Sequence, residues 1–284
     1  MDDMNIIFSI IFGIVEGITE WLPVSSTGHL ILFQSFMQFN NVSEGFWDVF
    51  EVVIQLGAIL AVVLLYFKKI WPFKLEKKSE NNKLKINKDI INLWIKIIIS
   101  CFPVVLIAVF KIDELAEKYF YNPASIAVML IIVGIAFILI ERKNKDKKKF
   151  RVNSIKDLTY KDAVIIGMFQ VIAAIFPGTS RSGATIIGAL LIGVSRVVSA
   201  EYTFYLAIPA MFGASLLKLV KYGFGFTGTE IVILLVGTIV AFLVSIFVIR
   251  FLMTYIKKHN FEVFGWYRIA LGIIVLSLIL FNVI

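Results

Sequence analysis

Charge is scarce in this 284-residue chain: Asp, Glu, Lys and Arg make up only 17% of it, against about 25% in an ordinary soluble domain, while 59% is hydrophobic. With a mean hydropathy of +0.89, the few charged residues cannot form the polar shell of a water-soluble fold. Disorder and collagen fall with the same composition. Cysteine is nearly absent. Cys101 stands alone inside an apolar run, which excludes a disulfide framework and any CxxC-type metal site and leaves it as packing filler. Also missing are the segments of about ten alternating residues that build an outer-membrane barrel. What remains is an all-α polytopic membrane protein.

The net charge of +8 raises the question of a nucleic-acid partner, and the location of the charges answers it. Of 28 Lys and Arg, eight fall in 68–89 and nine in 141–162. Such basic runs are expected as cytoplasmic loops, with no nucleic acid involved. Six apolar stretches can cross roughly 30 Å of hydrocarbon as helices: 47–67, 90–110, 123–140, 201–221, 230–252 and 264–283. The segment 111–122 between the two basic runs then lies outside, and Lys257 and Lys258 lie inside.

Residues 4–39 and 161–196 are apolar too, but each is interrupted midway by polar residues with proline and glycine. Backbone breaks at membrane depth are tolerated only where protein or water satisfies them, so each is expected to be a re-entrant helix hairpin. The two resemble one another at a spacing of 154, with Gly13 on Gly167, Pro23 on Pro177 and Ser26 on Ser180; one inserted residue, Arg181, then brings Thr27 and Gly28 onto Ser182 and Gly183. The reading is a duplication with 1–150 as first repeat and 151–284 as second, each one hairpin followed by three crossings. An odd number of crossings inverts the second copy, as in many transporters.

Ionisable groups inside a membrane are expensive and mark function. Lys96, Lys218, Arg250 and Arg268 lie within about two turns of predicted helix ends, where their stems are expected to snorkel to the interface. His259, beside Lys257 and Lys258, reads as a solvated loop residue. Arg181 differs, sitting at a hairpin tip, and Glu16, Glu20 and His29 occupy matching depth in the first half. Glu16 and Glu20 are four apart, so they share a helix face and either bind a cation or share a proton. Their second-half equivalents are Gln170 and Ala174, which points to an asymmetric site.

Ser25, Ser26, Thr27 and Gly28 follow Pro23, and Ser180, Ser182 and Gly183 follow Pro177, each at a helix start. Ordinary N-capping explains either stretch alone. Two facing starts with an arginine suit an anion with several oxygens. His29 is readable as a general acid, a nucleophile or a hydrogen-bonded structural group. Glu51 and Gln55 share a face of the next crossing and are candidate cavity lining, while Gly13 and Gly17 form a GxxxG that permits close packing.

Glu16-Gly17-Ile18-Thr19-Glu20-Trp21-Leu22-Pro23-Val24-Ser25-Ser26-Thr27-Gly28-His29 resembles the EGxTExLPxSSTGH signature of the bacterial undecaprenyl-diphosphate phosphatases of the bacitracin-resistance type. Pro177-Gly178-Thr179-Ser180-Arg181-Ser182-Gly183-Ala184-Thr185 resembles their PGxSRSGxT signature. The resemblance implies hydrolysis of undecaprenyl diphosphate to the monophosphate carrier of cell-wall synthesis, in a bacterial plasma membrane and with the site open to the outer face. It implies Ser26 and His29 as the catalytic pair, Glu16 and Glu20 as acidic metal-binding residues with Glu20 also catalytic, and Arg181 as phosphate clamp. Ser25, Thr27, Gly28, Gly178, Ser180, Ser182, Gly183 and Thr185 are then the substrate-binding residues. A divalent cation, Mg or Ca, is the cofactor implied. Expected partners are a long-chain polyprenyl diphosphate, the bilayer and a second copy of the chain in a homodimer. The competing reading from architecture alone is a polyprenyl-phosphate flippase or transporter.

Overall fold

The computed structural model describes residues 3–78, 81–145, 149–223 and 225–283, so 79–80 and 146–148 of the two basic stretches lie outside the described residues. The helices are α1 (Asp3–Thr19), α2 (Ser26–Gln34), α3 (Phe46–Ile70), α4 (Lys88–Val109), α5 (Ile112–Phe120) and α6 (Pro123–Lys143), then α7 (Tyr160–Ile175), α8 (Arg181–Leu191), α9 (Arg196–Tyr222), α10 (Gly228–Tyr255) and α11 (Glu262–Leu280). Six of them, α3, α4, α6, α9, α10 and α11, are long and apolar enough to cross a membrane. The chain is a multi-pass membrane protein of helices. The two interrupted segments form the pairs α1/α2 and α7/α8, whose second helices, of 9 and 11 residues, are too short to span the hydrocarbon.

Three local departures from the sequence expectation have physical causes. The stretch 68–89 is not only loop: Phe73–Lys78 pairs antiparallel with Asn81–Ile86 as β1 and β2, with Phe73 opposite Ile86. Apolar Phe73, Leu75, Leu84 and Ile86 alternate with polar residues there, a period-2 signal hidden beneath the lysines. Segment 111–122 contains α5, which packs on α4 and α7. Helix α9 begins at Arg196 rather than 201, because its polar first turns are neutralised: Arg196 donates a bidentate pair to Glu141, and Glu201 accepts from Lys69 at 2.7 Å.

The long helices pack as α6 on α11, α1 on α10, α4 on α7, and α3 on both α9 and α10. Glycine sets the closest of these approaches. A Cβ on Gly57 of α3 would lie 2.1 Å from the carbonyl oxygen of Thr238 in α10. Gly134 and Gly265 approach reciprocally across α6 and α11, each Cβ falling 2.7 Å from the other's carbonyl oxygen. Inward faces carry aromatic clusters such as Phe12, Phe39, Trp47 and Phe50, while Leu60, Leu64, Ile98, Phe102, Leu139 and Phe247 face outward as a lipid-facing surface.

Gly57→Ala is expected to wedge α3 from α10 and lower unfolding stability in detergent by about 1–3 kcal/mol. Gly213→Ala, where a Cβ meets open space, is the control and should stay within about 0.5 kcal/mol of the parent. Equal stability of the two variants would contradict the close approach.

Candidate active site

Each hairpin turns back through a serine held in an unusual backbone conformation. After α1 the chain runs through Glu20 to Pro23, which has no N–H to donate, and reaches Ser25 with φ of 77°. Its Oγ accepts from the Gly28 backbone N–H at 3.3 Å, capping α2. After α7 the chain reaches Ser180 with φ of 70°, whose Oγ accepts from Gly183 N–H at 3.1 Å and caps α8. Left-handed backbone at a non-glycine residue is strained and persists only where its surroundings hold it. The caps correct the alignment of the two halves: Ser25, not Ser26, is the counterpart of Ser180, so Ser26 and Arg181 occupy the same first position of α2 and α8. The extra residue lies before the cap.

The two tips meet. Glu20, nearly buried, accepts from Ser26 Oγ at 2.8 Å on one carboxylate oxygen and from the Arg181 guanidinium at 2.7 Å on the other. Ser182 Oγ donates to the Glu20 carbonyl at 3.1 Å, and Arg181 also donates to the Thr203 carbonyl at 3.1 Å. Two helix starts therefore converge on one carboxylate, and their first-turn N–H groups have no carbonyl of their own helix to donate to. Arg181 Nε has no partner. Together these are donors and positive dipole ends aimed at one place.

His29 lies one turn beyond Ser26 on α2 but does not bond to it. Its Nδ1 is 2.7 Å from the Ser25 carbonyl, so Nδ1 carries the donated hydrogen, and its Nε2, 2.8 Å from the Tyr267 hydroxyl, accepts from it when the ring is neutral. The two rings stack at 7°. Ser26 and His29 thus share α2 without a direct hydrogen bond, and Glu20 is the hydrogen-bond partner of Ser26. Tyr267 had no signal in the sequence, since an aromatic at a helix start usually marks the membrane interface.

Other expected binding residues are committed within the protein. Thr185 Oγ1 bonds the Arg181 carbonyl at 2.9 Å and Thr203, and Ser180 and Ser182 bond each other at 3.0 Å, so these hydroxyls brace the tip. Gly178, with φ of 87°, makes the turn after Pro177. Thr27 is half-buried beside Ser26. Glu16 is wholly buried, and neither carboxylate oxygen has a hydrogen-bond partner. Its charged neighbours are Glu20, Glu51 and Arg181. Among the described residues no three His, Cys, Asp or Glu form a complete metal cage.

Arg268 overturns the snorkelling expectation. Although it is only two turns into α11, it is 0% exposed and reaches inward beneath both tips. Its guanidinium donates to the carbonyls of Pro23 at 3.1 Å, Gly178 at 2.6 Å and Thr179 at 2.9 Å. Distance from a helix end says nothing about which way the stem points, and here the broken backbone supplies the acceptors. Lys96, though 4% exposed, reaches past the start of α4 to the Lys156 carbonyl at 3.4 Å, and Arg250 is exposed.

The family profile described as bacitracin resistance protein BacA matches residues 9–274, which include both hairpins and every residue of this site. The chain belongs to this family. It is similar to undecaprenyl-diphosphatase 1 of Clostridium acetobutylicum, 58% identical over 276 residues covering 97% of this chain and 98% of that one. Similarity to an undecaprenyl-diphosphatase of Enterococcus faecalis is 53% over 276 residues, again 97% and 98% of the two chains. A third relative, from Streptococcus sanguinis, is 52% identical over 272 residues, 95% of this chain and 94% of its own. In this BacA-family chain the carrier of the site is thus a pair of serine-capped helix starts, bridged by Glu20 and tied by Arg268.

Arg268→Leu is expected to strand three buried carbonyls and lower stability by about 3 kcal/mol or more, read by thermal unfolding in detergent. Arg250→Leu serves as the exposed control. A stable Arg268→Leu protein would show that the tips hold themselves.

Proposed function

We infer that this chain is an integral membrane phosphatase that hydrolyses undecaprenyl diphosphate to undecaprenyl phosphate and inorganic phosphate, recycling the lipid carrier of cell-wall synthesis and thereby conferring bacitracin resistance. The observation that carries the reading is the Glu20 carboxylate joined at once to the Ser26 hydroxyl and the Arg181 guanidinium. Phosphoryl transfer demands positioning and charge neutralisation more than elaborate covalent chemistry, and two helix starts with a guanidinium supply both.

In the proposed mechanism the terminal phosphate enters between the starts of α2 and α8, where Arg181 and the first-turn N–H groups not taken by the Ser25 and Ser180 caps hold its oxygens. Glu20 then loses Arg181 to the substrate and is free to take the Ser26 proton. Ser26 Oγ forms a bond to the terminal phosphorus as the anhydride bond to undecaprenyl phosphate breaks, and water cleaves the resulting phosphoserine to release inorganic phosphate. His29, its Nδ1 hydrogen fixed by Ser25 and its Nε2 beside Tyr267, keeps α2 in register and supplies a titratable group one turn from Ser26.

A divalent cation fits this site as a guest of the substrate. The orphaned, buried Glu16 carboxylate, with Glu20 as its neighbour, would hold the ion, and the hard oxygens of a diphosphate would share it. Such an ion, Mg or Ca, neutralises phosphate charge. The polyprenyl tail lies along the outward apolar faces, which is why the hydrolase is built within a bilayer.

Inverted duplication is part of the proposal. Its support is the exchange of packing partners: α1 packs on α10 as α7 packs on α4, while α3 with α9 and α6 with α11 pair across the two halves. The basic stretches 68–89 and 141–162 support a cytoplasmic position for one end of the bundle in a bacterial plasma membrane, and the opening of the site to the outer face is proposed from the family resemblance.

Purified protein in detergent, given undecaprenyl diphosphate, is expected to release inorganic phosphate. Arg181→Ala should lower turnover by about a hundredfold or more, and Ser26→Ala by about a thousandfold. Near-normal turnover of Ser26→Ala would hand the attack to water. A chelator should suppress release, and Glu16→Gln should raise the cation concentration needed for half-maximal rate; indifference to both would remove the cation.

A further inference from the structure

A second polar site lies where no part of the phosphatase reading uses it, at the end of the bundle that carries the basic stretches. A cavity of about 470 Å³ opens between the C-terminal end of α3, the N-terminal ends of α4 and α9, and the segment 153–156. Four lysines line it: Lys68, Lys69, Lys96 and Lys156. The two acids in its wall are each already paired, Glu201 with Lys69 at 2.7 Å and Asp89 with Lys156 at 2.6 Å. Asp89 holds the Lys156 ammonium above the ordinary lysine range, so that rim stays charged. Four positive and two negative groups leave the wall two charges positive.

Lys96 makes the cavity more than a lysine-lined dent. It is 4% exposed, yet its ammonium has one hydrogen bond, to the Lys156 carbonyl at 3.4 Å, and otherwise only the Tyr160 ring at 6.0 Å. An ammonium has three hydrogens to donate, and a buried one left with a single long acceptor is short of partners. The acids that act on it from a distance are Asp162, Asp157 and Asp89. Asp162 is held by Arg151 and the Thr159 backbone, Asp89 by Lys156, and Asp157 faces solvent. Lys68 likewise has no ion-pair partner among the described residues and stands at the rim. Asn87 and Asn92 add amide donors, with Asn92 Oδ1 occupied by the Tyr160 hydroxyl at 2.6 Å.

We propose that this cavity is a binding site for a phosphate-bearing anion, with Lys96 as its floor and Lys68 and Lys156 as its rim. Phosphate matches the site because several oxygens can accept from several lysines and amides at once. The location favours a headgroup. The cavity sits at helix ends, where the exposed, stacked Phe67 and Trp71 mark the membrane boundary, and α3 and α4 continue from it with outward Leu64, Ile95 and Ile98 along which acyl chains lie. Free inorganic phosphate shares the same chemistry, so both sources are tested.

The full-length protein in detergent is titrated with phosphatidylglycerol, with phosphatidylcholine as zwitterionic control, and separately with inorganic phosphate against chloride at equal ionic strength. Thermal unfolding is followed for the parent, Lys96→Gln and Lys68→Gln. Phosphatidylglycerol is expected to raise the midpoint, with half-saturation shifted about five- to tenfold higher in each variant. A variant-sensitive shift with inorganic phosphate alone identifies the free anion as ligand, and one with phosphatidylglycerol alone identifies the headgroup; either supports the site. Responses no larger than those to the controls, or unchanged in both variants, overturn it. Lys68 is exposed, so Lys68→Gln carries the test if Lys96→Gln fails to fold. Both variants should release phosphate from undecaprenyl diphosphate at the parental rate, which separates this cavity from the phosphatase centre.

Discussion

The structure depends on how a membrane protein satisfies backbone that it has deliberately broken. At each hairpin tip the helix stops inside the apolar bundle, and carbonyls that an unbroken helix would have paired are left exposed to a medium without water. One guanidinium meets three of them. Because Arg268 takes carbonyls from Pro23 on one tip and from Gly178 and Thr179 on the other, it holds the two breaks against each other as well as capping each. A lysine could not do this, having neither the planar fork nor the reach to both. The charge itself is unpaired by any carboxylate among the described residues, so the same group that braces the fold leaves positive potential beneath the place where a diphosphate is proposed to bind.

Everything else at the centre follows from that junction. Once the tips are fixed, the first residues of α2 and α8 must face one another, and these are Ser26 and Arg181. Glu20 lies between them and answers both. The arrangement is strained at Ser25 and Ser180 and under-bonded at Glu16 and Arg181 Nε. Strain and unmet hydrogen bonds are what a binding site carries before its ligand arrives. The two helix starts differ in what they offer: the first position of α2 holds a hydroxyl and that of α8 a guanidinium.

Much of this was legible in the sequence. Apolar length located all six helices that are long enough to cross to within a few residues, since hydrocarbon thickness dictates that length. Pro23, Gly28, Gly178 and Gly183 marked the breaks, because those residues act through their own backbones. The motif residues Glu20, Ser26 and Arg181 were identified, and the structure brings them together. Arg268 was not legible, because a long cationic side chain near a helix end can turn outward to water or inward to a partner and the sequence does not say which. Tyr267 and the short β1/β2 pairing escaped for the same kind of reason, their patterns being shared with ordinary interface residues and lysine-rich loops.

Composition and periodicity by themselves determined that the chain lives in a bilayer, which six helices are long and apolar enough to cross it, where its helices break and which few polar residues lie near those breaks. Those properties are local, set by the transfer of each segment from water to hydrocarbon. Only the tertiary structure decided the partners. That Ser26 bonds Glu20, six residues back, rather than His29, that Ser25 rather than Ser26 caps its helix as Ser180 does, that His29 meets Tyr267 and that Arg268 reaches inward all depend on how the side chains pack. Hydrogen bonds are directional over a few tenths of an ångström, so their pairing is chosen by packing and not by spacing along the chain.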